Sequence, residues 1–213
     1  MKRLLLILIL TLSFQSWTKA DDISDFEIEG ISIGDSLLSF ADLEKINSIK
    51  SKQQHVNDKY IIFDVDKILD VKNYDYMGAT IKKNDKNYIV TSLSGILNYK
   101  DLGKCLKKKV LIQKDIEKLL TYDSMEEVKY PSQRDKTGES IIYGVQFYFK
   151  PYPSVEAITV NCAHFTKESN IVRTLKVSAN SEDYAYFLIH EAHKHILKMY
   201  HGISYYSSSM VIF

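Results

Sequence analysis

Cys105 and Cys162 are the chain's two cysteines, and each sits in a different kind of repeat, which constrains the fold more tightly than any other feature. From Asp101 to Leu120 the apolar residues follow helical spacing: at about 100° per residue, Leu102, Cys105, Ile112, Ile116 and Leu119 gather on one side. In VEAITVNCAH (155–164) they alternate instead, so Ile158, Val160 and Cys162 share one face of a strand. Both thiols therefore point at a core. A disulfide pinning the helix to its sheet satisfies both patterns, and closing a loop of that length contributes on the order of 4 kcal/mol in the chain-entropy picture. Two separate buried thiols satisfy them as well, so the compartment decides.

The first residues supply the compartment. MKRLLLILILTLSFQSWTKA sets Lys2 and Arg3 ahead of an unbroken apolar run from Leu4 to Leu10, and a polar stretch then ends at Ala20. That is the order of a secretory signal cleaved near Ala20. The run is shorter than the ~20 residues a spanning helix needs, and no cysteine follows it to carry a lipid. Export favours the Cys105–Cys162 disulfide, because periplasmic and secreted proteins oxidise their thiols. The expectation is a periplasmic or secreted protein that is not integral to the membrane, with retention of residues 1–20 as a tether standing as the exception. Residues 21–200 read as one domain, and 201–213 as a tail or a short edge strand.

Cleavage also removes Lys2, Arg3 and Lys19, taking the formal charge from +1 to −2. A near-neutral chain argues against nucleic acid or an anionic membrane as the main partner. Lys107, Lys108 and Lys109 then read as a solvated helix face.

Along the chain, Asp35 or Ser36 is a candidate N-cap for a helix over LLSFADLEKI (37–46). Three segments rich in β-branched and aromatic residues follow, KYIIFDV (59–65), YDYMGATIK (74–82) and NYIVTSLSGIL (87–97), with a hairpin-type turn at Lys83–Lys86. After the Cys105 helix, Pro131 to Gly138 reads as a polar loop. SIIYGVQFYFK (140–150) then places Ile141, Tyr143, Val145, Phe147 and Phe149 on one face, and IVRTLKVS (171–178) does the same for Ile171, Leu175 and Val177. A last helix starts near Ser181, with Glu182 and Asp183 favourable at its first turn. The class is α+β: an antiparallel sheet covered by helices on one face, an order open to two αβββ halves plus a C-terminal helix. No residue-level repeat links the halves.

Chemistry is sparse. HEAHKH (190–195) approaches the helical zinc-protease motif, which needs two histidines four apart with a glutamate beside the first. Here Lys194 holds the required position, and His195 is rotated about 140° from His190. His190 and His193 remain as weak metal candidates, and a catalytic zinc would need a third ligand for which His55, His164 and His201 have no pointing spacing. Asp64 and Asp66 resemble an acidic cation pair, at a spacing that is common by chance. Ile33-Gly34-Asp35-Ser36 is not a nucleophile elbow, and no glycine-rich phosphate loop is present.

The signal followed by DISDFEIEGISIGDSLL (22–38), the helix carrying Cys105 and the strand ending NCAHF (161–165) resemble a group of short secreted proteins from marine bacteria with AT-rich genomes. The resemblance reaches to about Ala192. It implies a secreted α+β domain without an assigned activity, and the histidine-rich stretch after Ala192 departs from it. The sequence thus reads as a secreted, soluble, non-catalytic binding or envelope-associated domain with no implied cofactor. Its partner would be a protein, an envelope component or a small solute, and the alternative is a metal-dependent hydrolase centred on His190, Glu191 and His193.

Overall fold

The computed structural model describes residues 22–52, 59–132, 135, 139–165 and 173–192. The expected signal peptide (1–20), the tail (201–213), His55, Ile171, His193, His195 and His201 lie outside the described residues. Seven strands form one antiparallel sheet: β1 (Tyr60–Asp64), β2 (Tyr76–Lys82), β3 (Val90–Tyr99), β4 (Ser124–Pro131), β5 (Ile141–Tyr148), β6 (Ala157–His164) and β7 (Arg173–Asn180). Their spatial order is β1-β2-β3-β7-β6-β5-β4. Two meanders therefore meet at β3 and β7.

The helices are α1 (Leu43–Ser48), α2 (Leu102–Leu119) and α3 (Glu182–Phe187), the last continuing into a π turn over Leu188–Ala192. Asp101 starts α2 by accepting a hydrogen bond from the Lys104 amide at 2.8 Å. This helix carries the chain from β3 in mid-sheet to β4 at the far edge, packing on β6, β7, β3 and β5. The α+β class and the antiparallel sheet follow the sequence reading. The second meander, however, has four strands where three were expected.

That extra strand is β4. SMEEVKYP is exposed along most of its length and pairs only with β5, so it carries no apolar alternation to signal it. Pro131, expected to open a loop, ends this edge strand opposite Ile141, where a missing N–H is tolerated. The helix expected over 37–46 is also broken. Ser36 caps a short 3-10 turn, Leu37–Ser39, and Asp42 then starts α1 by accepting from the Lys45 amide at 2.8 Å. An aspartate gains more by capping than by sitting inside a helix.

Residues opposite one another in register share a face. On the first face lie Phe63, Met77, Ala79, Leu93, Val177, Val160, Val145 and Phe147, all buried in one core with Cys105 and Ile116 of α2, against which the half-buried Ile112 packs. The segment from Ile23 to Ile49 closes this core over β1–β3. Cys105 and Cys162 are joined, with Cα atoms 6.0 Å apart. Leu119, expected in the core, is 57 % exposed, and Leu120 is buried in its place as the chain leaves the helix. The helices do not all lie on one face: α3 packs Tyr184 and Phe187 against Tyr60, on the opposite side of β1 from Phe63.

Candidate functional site

The start of α3 is held to the sheet by charged and aromatic contacts. Asp183 bonds Lys82 at 2.5 Å, and Glu182 accepts from Ser154 and, at 3.4 Å, from the Val155 amide. Tyr60 meets the Tyr184 ring edge-on at 5.0 Å, and burial with the negative Asp183 and Glu191 nearby pushes its hydroxyl up to about 12. An open cleft of about 310 Å³ lies here, lined by Lys59, Tyr60, Lys82, Glu182, Asp183, Tyr186, Phe187 and Glu191.

Glu191 pairs with Lys59, which takes up the carboxylate a zinc hydrolase would use as its base. His190 is exposed and lies against Tyr186, ring centroids 4.1 Å apart. His164 sits at the other end of β6, about 23 Å along the strand from the end where α3 begins, and accepts a hydrogen bond from Arg173 at 3.1 Å. Asp64 binds Lys67 at 2.6 Å, and Asp66 accepts from the Met77 amide at 3.2 Å. Among the described residues no three His, Cys, Asp or Glu side chains converge on a common point.

The more informative site is the second face of the sheet. Registers place Asp64, Gly78, Ser94, Ser178, Thr159, Gln146 and Glu126 in one row that crosses all seven strands. The neighbouring rows add Thr80, Ser92 and Asn180 on one side and Lys176, Asn161 and Gly144 on the other. Gly144 leaves space for Asn161: a Cβ there would lie 2.1 Å from the Asn161 Oδ1.

The centre of this face is buried. Thr159 is 0 %, Gln146 1 %, Ser178 2 %, Asn180 3 % and Asn161 7 % exposed. Gln146 accepts through Oε1 from the Tyr148 hydroxyl, and Asn180 through Oδ1 from Ser92 at 2.8 Å. Yet Gln146 Nε2, Asn180 Nδ2, Asn161 Oδ1, Thr159 Oγ1 and Ser178 Oγ have no hydrogen-bond partner among the described residues. Two donors, one acceptor and two hydroxyls thus share one strip that is uncharged at its centre, with Ser94, Thr174, Lys176 and Tyr148 half-buried around it. Sequence reasoning tracked only the apolar positions of these strands. The signal was in the alternate positions, Ser92 and Ser94, Thr159 and Asn161, Ser178 and Asn180.

Compared with known proteins, the chain matches no family model, no curated protein and no solved structure. Among the described residues no helix is long and apolar enough to cross a membrane.

Proposed function

We propose that this is an exported, disulfide-stapled domain of the cell envelope that acts by binding, and that its contact face is the polar second face of the sheet. Export rests on the leader ahead of Asp21. One observation carries the binding reading: five buried polar side chains on one face each hold an atom without a partner among the described residues. A layer built only for stability would be apolar there, as the first face is, because each unpaired buried group costs about 1–3 kcal/mol. The partner meets the strip through its half-buried margin.

The chemistry of the strip favours a neutral, hydroxyl-bearing partner. Saccharide hydroxyls both donate and accept, so they match Thr159 and Ser178 as well as the amides of Gln146, Asn161 and Asn180. The five atoms themselves belong to uncharged side chains, with Lys176 the nearest charge in the neighbouring row. Isothermal titration of the exported protein with an N-acetylglucosamine oligomer and with a maltose oligomer tests the reading. Saturable binding to one of them, weakened in Gln146→Leu and Asn161→Ala, is expected. Heat flow identical to buffer for both sugars would refute it.

A further inference from the structure

We infer that the outer side of α2 is a docking surface for an anionic phospholipid bilayer, an interaction independent of the polar face. The inner side of α2 is fixed by Cys105, Lys109 and Ile116, all buried. With about 100° per residue, Lys104, Lys107, Leu111, Lys114 and Lys118 then fall within an outward sector of about 80°. All five are exposed. Their spacing of three, four, three and four residues makes a straight stripe about 21 Å long.

No acidic side chain falls within the stripe. Of the helix's two acids, Glu117 lies about 60° beyond the Lys114 edge and is bonded to Gln113 at 3.0 Å, and the exposed Asp115 borders the stripe about 20° beyond its Lys104 edge. Among the described residues none of the four stripe lysines is in an ion pair; the lysine of α2 that has one is the buried Lys109, 3.5 Å from Glu127. Exposed apolar residues flank or interrupt the charges: Leu111 and Leu119 are each 57 % and Val110 42 % exposed. Cations with apolar side chains between them suit the headgroup region, where the ammonium groups meet phosphates and the short hydrocarbon tips enter the acyl boundary. A nucleic-acid surface would use the lysines and leave Leu111 unexplained. The near-neutral charge of the whole chain conceals this local concentration.

The geometry is consistent with the proposed envelope role. With α2 against a bilayer, the polar second face lies on the far side of the sheet from it.

Vesicle co-sedimentation of the exported protein tests the inference, with phosphatidylcholine alone, phosphatidylcholine mixed with phosphatidylglycerol, and a DNA duplex as competitor. Binding to the anionic vesicles alone, reversed by salt, is expected. The variant Lys107→Glu/Lys114→Glu should weaken it by more than the roughly thirtyfold that loss of two lysine contacts alone would give, because each glutamate adds repulsion. The milder Lys104→Gln/Lys118→Gln guards against a folding defect and should lower binding in the same direction with an unchanged melting temperature. Equal binding to neutral vesicles, as a retained leader would give, overturns the inference. So does binding unaffected by the lysine changes, or a preference for the duplex over the anionic vesicles. Sugar titrations of the same variants report separately on the polar face.

Discussion

Replacing Thr159 by valine isolates the cost of one unpartnered hydroxyl. Thr159 lies in β6 between Gln146 and Ser178, is 0 % exposed, and its Oγ1 has no partner among the described residues. Valine keeps the β-branched shape and strand preference while exchanging the hydroxyl for a methyl. The folded free protein should therefore gain about 1–2 kcal/mol, most of the desolvation penalty of a buried unpaired hydroxyl. For a chain of this size that raises the melting temperature by about 2–8 °C.

Thr80→Val is the matched control on the same face. There the threonine side chain hydrogen-bonds the buried Tyr184, so the same substitution should lower stability by about 1 kcal/mol. Urea melts read at unchanged m-value separate the two. If Thr159→Val were instead destabilising by more than about 1 kcal/mol, the hydroxyl would have a partner in the free protein and the argument for unpaired polar groups on this face would fail.

Other expectations follow from the same geometry. Reduction, or Cys105→Ala with Cys162→Ala, should cost about 4 kcal/mol for the loop spanning 57 residues; calorimetry finding a loss below about 1 kcal/mol would contradict the role of the bond in holding α2. Gly144→Ala should destabilise by more than about 1 kcal/mol, since the new Cβ meets Asn161 at 2.1 Å and Val128 at 2.8 Å, and Asn161→Gly should recover most of it in denaturant melts. Tyr60, Tyr74, Tyr130 and Tyr148 are pushed up to about 12, chiefly by burial. Their contribution to stability is whole below about pH 10, where the unfolded phenol is still neutral, and is lost as pH rises through about 12. Tyrosinate absorbance followed with circular dichroism should accordingly show these rings ionising with unfolding and not before it.

Much of the fold was legible because its elements carry their period openly. The helix over Leu102–Leu119 and six of the seven strands were readable from spacing, and Cys105 and Cys162 fell on facing apolar sides. β4 was not legible, because an exposed edge strand has no buried face to alternate against. The break at Asp42 was hidden for a different reason: helical spacing continues past it, and only the competing cap interrupts the backbone. The polar face was half legible. Its residues alternate as strictly as the core residues do, but their meaning needed the registers that align Ser94, Ser178, Thr159 and Gln146 across four strands. The lysines of α2 likewise read as ordinary solvation until the buried side of the helix was known. HEAHKH drew the eye by residue type, yet Glu191 closes on Lys59.

The central claim is that Gln146 Nε2, Asn180 Nδ2, Asn161 Oδ1, Thr159 Oγ1 and Ser178 Oγ, which have no partner among the described residues, gain one from a neutral ligand. The side-chain amide signals of Gln146 and Asn180 report this directly by NMR, recorded in the protein before and after saturation with the N-acetylglucosamine or maltose oligomer that binds. The account predicts weakly hydrogen-bonded amide protons in the free protein that move downfield and exchange more slowly with sugar bound. Protons already downfield and protected in the free protein, and unmoved by either sugar, would contradict it.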